Sequence, residues 1–292
     1  MELVRIKEGI YFIKDTTNLP LFEAGSSFYL VDSPIDKDKS RKVKKILEDK
    51  KINVENLILT HHHADHTGGA KYIKETLNLK IYSSPLEKTF IENPNLEPIY
   101  LSLGGNPPKD FLNKWVMSEK VLIDENVFSI DNEDLKIIDL SGHSIGMIGI
   151  LFNKVLFSSD SFFSTQILQK YIIPYFHSYY KFLEKMEIIK NFDFDFILPS
   201  HGEVYKKNEG IKIIDENIEV LRKIKDDILK IIKNYENIEN IIYILNLNID
   251  SYIVATLIKS SILSLLNELK DRGEVQIKIK NGVVFYKKFN KI

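Results

Sequence analysis

Thr60-His61-His62-His63-Ala64-Asp65-His66-Thr67-Gly68-Gly69 is the stretch around which the rest of the chain is organised. Four of the chain's seven histidines and one carboxylate occupy six consecutive positions there. The preceding residues, 56–60, read as a short apolar strand, and those from Gly69 to Leu77 read as a helix. Imidazoles and a carboxylate crowded where a strand gives way to a helix suit a metal site, because the backbone turn aims their side chains at one point. A fragment of an expression tag would sit at a terminus, and a solvated loop would not be bracketed so closely by apolar segments.

The whole chain narrows the chemistry further. Its 292 residues are enough for one large domain or two smaller ones. Lys and Arg total 40 against 41 Asp and Glu, so bulk charge gives no attraction for polyanions. Cysteine is absent, which removes disulfides, thiolate metal sites and a thiol nucleophile and leaves histidine and carboxylate as the strong ligands. The N-terminus alternates apolar and polar residues around Glu8-Gly9, the pattern of a hairpin and not of a signal peptide. No apolar run is expected to reach membrane-spanning length, and a soluble cytoplasmic protein is anticipated.

Outward from the cluster, the chain alternates strands and helices. Strands are expected at 27–32, 80–83, 121–123, 127–130, 135–140, 147–152, 155–158 and 194–198, with helices at 36–50, 85–91 and 178–190. The segment 92–120 loses periodicity among Asn93-Pro94, Glu97-Pro98 and Asn106-Pro107-Pro108, and carries the only tryptophan, Trp115. It reads as a flap or helical insertion beside the site, or else as a surface excursion. Phe162, Phe163, Tyr171, Tyr175, Phe176, His177, Tyr179 and Tyr180 form an aromatic strip. Antiparallel pairs interrupted by helices favour a layered α/β sandwich over a doubly wound parallel sheet. Beyond 208 the texture turns helical, with helices at 209–233, 238–245 and 251–270, then a hairpin over 274–288 turning at Asn281-Gly282. That order is winged-helix-like. The domains expected are therefore 1–208 and 209–292.

The remaining donors fall in a telling place. His143, Asp160 and His201 each follow an expected strand, next to Gly, Ser or Pro. With His61, His63, Asp65 and His66 they make seven donors, too many for one tetrahedral zinc and about right for two metals sharing a carboxylate. His61 and His63, two apart in an extended turn, face the same way. His62 then points oppositely and is left out, as an outer or exposed residue.

These residues resemble the metallo-β-lactamase superfamily. Its His-x-His-x-Asp-His signature matches His61, His63, Asp65 and His66, and its later elements match Gly142-His143-Ser144, Asp160 and His201-Gly202. The resemblance covers about residues 1–208. It implies an αββα sandwich with His61, His63 and His143 on one zinc, Asp65, His66 and His201 on a second, and Asp160 bridging. Ser159 departs from the glycine that many members carry before that aspartate. In such a site two cations would acidify a shared water to a hydroxide near neutrality, with Asp65 as the catalytic group that orients it and protonates the leaving group. His177 is a candidate substrate contact.

The resemblance implies a hydrolase of an ester, thioester or related bond in a small molecule. The winged-helix-like tail resembles the lactamase-β-like branch that includes a single-strand endoribonuclease. Lys270, Arg272, Lys278, Lys280, Lys287, Lys288 and Lys291 against Asp271 and Glu274 leave a local excess of five positive charges, which suits single-stranded RNA or simply a solvated edge hairpin. A mononuclear-iron sulfur dioxygenase is the third reading, with iron or manganese in place of zinc. A non-catalytic binding module is disfavoured by the full donor set. Homo-oligomerisation stays open, and no membrane partner is expected.

Overall fold

The computed structural model describes all residues except 26, 131–133, 172, 248 and 290–292. The side chain of Tyr171, and Lys291 as a whole, therefore lie outside the described residues. The chain opens with β1 (Glu2–Lys7), β2 (Ile10–Lys14), β3 (Leu19–Ala24) and β4 (Ser27–Val31), an antiparallel meander. Helix α1 (Lys37–Asp49) follows, and Asp36 caps it by accepting from the Lys39 N–H at 2.9 Å. Then come β5 (Val54–Leu59), the short α2 (Ala64–Thr67), α3 (Ala70–Leu77), β6 (Lys80–Ser83), α4 (Pro85–Glu92), α5 (Leu96–Leu101) and β7 (Glu125–Asn126). Strands β4 to β7 pair in parallel, so the first sheet is a seven-stranded mixed sheet in sequence order.

The crossovers place α1 and α3 on the outer face of that sheet. Val43, Leu47 and Ile73 pack there on Leu57, Leu59 and Ile81. Leu57, Ile58 and Leu59 of β5 are all fully buried, as a strand covered on both faces requires. Truncating Leu57 to Ala would cost about 2–5 kcal/mol in transfer and cavity terms. The loop carrying the histidines is thus anchored to a strand whose last three residues are fully buried.

The second half supplies β8 (Leu135–Asp139), β9 (Ile148–Phe152), β10 (Val155–Ser159), α6 (Thr165–Tyr171), α7 (Tyr179–Ile189), β11 (Phe196–Pro199) and β12 (Tyr205–Lys206). Helices α8 (Lys207–Ile231), α9 (Ile238–Ile244) and α10 (Tyr252–Asp271) and the hairpin β13 (Val275–Lys280) and β14 (Val283–Lys288) complete it. The second sheet runs β12-β11-β10-β9-β8. Inner faces meet where Phe12, Phe22 and Ile58 pack on Ile148, Ile150, Phe157 and Leu198, with the Phe22 and Phe152 rings 4.7 Å apart. The outer face of the second sheet is covered by α7 and α8 through Phe182, Met186, Ile214 and Ile218. The layers are helix, sheet, sheet, helix. Ile262, Leu265 and Leu266 of α10, and Val275 and Tyr286 of the hairpin, join this same buried cluster.

Several local expectations need correction. Residues 121–123 do not form a strand: Ile123 N–H donates to the Glu92 carboxylate at 2.9 Å, so pairing with β6 starts only at Glu125. Residues 127–129 wind into one 3₁₀ turn because the Asn126 side chain accepts the Phe128 N–H at 3.1 Å. The aromatic strip contains the helix α6, which the sequence reading did not assign, and the histidine cluster, read as a turn between strand and helix, itself contains α2. Finally, α10 is long and apolar enough to cross a membrane, contrary to the expectation that no such run exists. Its apolarity has a packing reason, since Ile258, Ile262, Leu265, Leu266 and Leu269 are buried in the core.

Candidate metal centre

Strand direction brings the donors together. In the second sheet β8 and β10 are each antiparallel to β9, and β10 is parallel to β11, so β8, β10 and β11 end at the same edge. His143, Asp160 and His201 lie just past those three ends, and the histidine cluster lies just past the end of β5. The turns are tight. A side chain at Gly68 would meet the Ile35 carbonyl oxygen at 2.0 Å, and one at Gly142 (φ +142°) would meet the backbone of Phe182 at 2.6 Å. Ser159 takes φ +50°, a left-handed conformation that costs a serine about 1–2 kcal/mol and explains a preference for glycine there. Its hydroxyl gives something in return, lying 2.9 Å from the Thr60 hydroxyl and 3.4 Å from His61 Nδ1.

All seven donors converge. Nε2 of His61 and Nε2 of His143 lie 3.1 and 3.0 Å from Nδ1 of His63. His201 Nε2 lies 3.2 Å from Asp65 and 3.5 Å from Asp160, while His66 Nε2 lies 3.8 Å from Asp65 and 3.6 Å from Asp160. Asp160 also approaches His143 Nε2 at 3.6 Å, so its carboxylate stands between the two groups. The outward nitrogens are occupied. His61 Nδ1 meets Thr60 Oγ1 at 3.1 Å, His66 Nδ1 meets Asp32 Oδ2 at 2.8 Å, His143 Nδ1 meets the Tyr175 carbonyl at 3.0 Å, and His201 Nδ1 meets the Thr16 carbonyl at 2.7 Å. Such outer partners fix the tautomer and leave Nε2 facing inward.

The electrostatics divide the cluster. Burial pushes His61, His63 and His143 down, for the first two reinforced by neighbouring imidazoles, so three neutral lone pairs converge. Around Asp65 and Asp160 the balance reverses. Burial opposes charge on His66, but Asp65, Asp160 and Asp32 lift it to about 10, and Asp160 and Asp65 raise His201 well above its ordinary value. Despite burial, His66 and His201 hold Asp65 and Asp160 ionised. His66 Nε2 and Asp160 Oδ1 are buried without a hydrogen-bond partner. Orphaned buried groups cost about 1–3 kcal/mol each, and a divalent cation between them would relieve both. The donor set therefore fits metal. Asp65 is the open member, its side chain 39 % exposed against 6 % for Asp160.

His62 points away from the donors, as the alternation predicted, but it is buried and not exposed. Its Nδ1 pairs with Glu87 and its Nε2 lies 2.9 Å from Glu97, while its ring stacks on Phe90. Burial alone would lower its affinity for a proton; Glu87 and Glu97 outweigh this and raise it to about 10. Glu87 also accepts from the His62 and Gly146 backbone N–H groups and the Ser144 hydroxyl, tying the two histidine-bearing loops together. His177 is not among the convergent donors. Its Nδ1 lies 3.0 Å from the Tyr100 hydroxyl, and its N–H donates to the Gly142 carbonyl. Burial and then Lys181 push its imidazole down.

Sequence reading missed Asp32, Glu87, Glu97, Tyr100 and Tyr175. Asp32 carried a usable signal, a carboxylate at the end of β4 like the other strand-end donors. It also accepts from the Thr60 N–H at 2.7 Å and faces the Thr60 hydroxyl at 2.8 Å. Glu97 and Tyr100 belong to the 92–120 segment, which packs Leu101, Phe111 and Val116 against Ile253 and Leu257 of α10 and turns α5 toward the site. Trp115 of the same segment is 67 % exposed.

Known proteins place this geometry. A hydroxyacylglutathione hydrolase of Pelagibacter ubique (strain HTCC1062) is 29% identical over 132 residues, 44% of this chain and 45% of that protein. The chain thus matches less than half the length of that relative. A beta-lactamase-like protein 2 homolog of Caenorhabditis elegans is 26% identical over 231 residues, 78% of this chain and 69% of that one. Two solved structures share the fold over nearly the whole chain. A beta-lactamase domain protein from Burkholderia ambifaria has a TM-score of 0.73 at 17% identity, covering 99% of this chain and 94% of its own. A metallo-beta-lactamase family protein from Thermus thermophilus has 0.73 at 15%, covering 98% and 100%. The sequence model of the Metallo-beta-lactamase superfamily matches residues 16–201, a span that holds all seven donors, and the chain belongs to that superfamily.

Proposed function

We propose that the chain is a metal-dependent hydrolase that cleaves an ester or thioester of a small molecule. The observation that carries the reading is the shared carboxylate: Asp160 stands between His61, His63 and His143 on one side and Asp65, His66 and His201 on the other. The first trio would hold one ion and the second group another, with His66 and His201 giving up their protons to solvent as the second ion binds. Histidine and carboxylate donors without thiolate suit zinc. When bound, such ions acidify water and polarise a carbonyl. The chain's own residues do the rest. Asp65, ionised and open to solvent, accepts the attacking water's proton and returns it to the leaving group. Asp32, Thr16 and the Tyr175 carbonyl hold the imidazoles in the tautomer that faces inward. A thioester substrate is supported by the relatives named hydroxyacylglutathione hydrolase.

We read residues 1–208 as the catalytic unit and 209–292 as a winged-helix-like unit packed on it. Lys278 and Lys280 share one face of the hairpin with Lys287, which gives the single-stranded RNA reading its one specific support. Against it, Lys278 and Lys287 both stand 5.5 Å from the Tyr235 ring, an intramolecular role that accounts for two of the three.

Assay of metal-quantified protein on a panel of thioesters, esters and phosphodiesters tests the reading. Thioester turnover that Asp65→Ala abolishes is expected; full turnover in that variant would mean the site is misassigned. Iron at one per chain with no hydrolysis gained from zinc would favour the dioxygenase. RNA cleavage whose salt dependence flattens on replacing Lys278, Lys280 and Lys287 would favour the nuclease.

A further inference from the structure

Between α6 and α7 residues 173–178 form a strap with no regular structure, so its backbone groups need partners from outside. They find them on two sides. Toward the metal centre, the Tyr175 carbonyl accepts from His143 Nδ1 at 3.0 Å, and the His177 and Ser178 N–H groups donate to the Gly142 carbonyl at 2.8 and 3.0 Å. Away from it, α10 supplies three polar side chains, Ser261, Ser264 and Glu268, whose spacing of three and four residues puts them on one face of the helix. The Ser261 hydroxyl accepts from the Phe176 N–H at 3.2 Å and donates to the Pro174 carbonyl at 3.3 Å. That of Ser264 donates to the His177 carbonyl at 2.8 Å. Glu268 accepts from the Ser178 hydroxyl at 2.6 Å and from the Tyr180 N–H at 2.9 Å. Ser261 is fully buried beside the core residues Ile258, Ile262 and Leu265 of its own helix. A hydroxyl in such surroundings costs free energy unless it is paired, and both of its bonds go to the strap.

We propose that Ser261, Ser264 and Glu268 are positioning residues of the metal centre. Through the strap they hold the Tyr175 carbonyl against His143 Nδ1, and so keep His143 Nε2 turned toward His63 and Asp160. This rests on reading His61, His63 and His143 as the ligands of one ion. The carbonyl that orients His143 belongs to the main chain, so its place is set by what grips the residues on either side. Ser261 grips both, at Pro174 and at Phe176. The same grip seats the Tyr175 ring 5.5 Å from the His63 ring and 5.6 Å from the His143 ring. The other half of the centre is supported differently. His66 and His201 are oriented by Asp32 and the Thr16 carbonyl, neither of which is hydrogen-bonded to α10 among the described residues. The C-terminal stretch therefore reaches the His143 half of the centre and not the other.

Zinc titration of the metal-free full chain against a competing chelator tests this without recourse to turnover. Ser261→Ala should weaken one binding step about tenfold, the low end of what losing an outer partner costs, and leave the other within about twofold. Asp32→Asn, which disturbs His66, marks the other step, and the double variant should weaken both. Leu269→Val is the control for loosened packing, since it thins the buried face of α10 by one methylene and leaves the three polar side chains in place. Ser264→Ala removes one bond at a half-buried position and keeps the test open if Ser261→Ala fails to fold. It should weaken the same step, and Ser264→Thr, which keeps the hydroxyl, should restore it. Wild-type binding of both ions by the two alanine variants overturns the proposal. So does equal weakening of both steps, or a Leu269→Val variant that loses as much at the His143 step. Selective weakening in a protein that hydrolyses nothing on the panel removes the hydrolase reading and leaves the positioning role intact. Hydrolysis with wild-type metal affinity in both serine variants does the reverse.

Discussion

His62 and its two neighbours are the same residue in consecutive positions and end in opposite states. His61 and His63 turn inward, where burial and neighbouring imidazoles keep them neutral with lone pairs converging on His143. His62 turns outward and is buried as well, but between Glu87 and Glu97, and is held protonated. Burial alone therefore does not set the charge of a histidine. The extended backbone after β5 chooses what each ring faces, and the count of carboxylates there decides the rest.

That contrast can be broken from either side. His63→Ala removes the nitrogen that both His61 and His143 approach, and should lower turnover by more than the roughly 100-fold that loss of an outer partner costs, with metal loss visible by elemental analysis. Retained metal would show that the trio is not a binding group. On the other side, Glu87→Ala leaves the buried His62 imidazolium with Glu97 alone and strips the Ser144 hydroxyl and the His62 and Gly146 N–H groups of their acceptor, so urea unfolding should show a loss of about 3–5 kcal/mol. A loss below about 1 kcal/mol would mean that the pair is not charged. Asp32→Asn tests the charged half of the donors: affinity for the second metal should fall about 10- to 100-fold, leaving the first nearly untouched.

The same contrast can be read in pH. His62 rises from an ordinary 6.5 to about 10 in the fold, so its contribution to stability is complete below about 6.5 and is lost as pH climbs toward 10. The stability gap between the wild type and His62→Gln should be widest near pH 6 and narrow by pH 10. A gap that widens with pH would place His62 as neutral.

Much of this arrangement was legible because each donor follows a buried strand and precedes a turn. The apolar run of β5 and the Asn153-Lys154 turn, with φ of +45° and +61°, announce themselves locally. So does the Asn281-Gly282 turn, at +50° and +78°. What could not be read is what depends on distant packing. Glu97 and Tyr100 reach the site only because Leu101, Phe111 and Val116 seat their segment on α10, some 150 residues later. Likewise, 121–123 has the composition of a strand, yet Glu92 takes a backbone N–H that a neighbouring strand would have used. The burial of His62 was missed for the same reason: its partners lie on α4 and α5, and no local pattern marks them.

The central claim, that two cations share the bridging carboxylate of Asp160 and support thioester hydrolysis, is tested most directly by titrating zinc into metal-free protein while following turnover. Activity that rises until two zinc ions are bound per chain, and is absent without them, is the predicted result. Activity that saturates at one ion per chain, or protein that binds one iron and gains no hydrolysis from zinc, would contradict it.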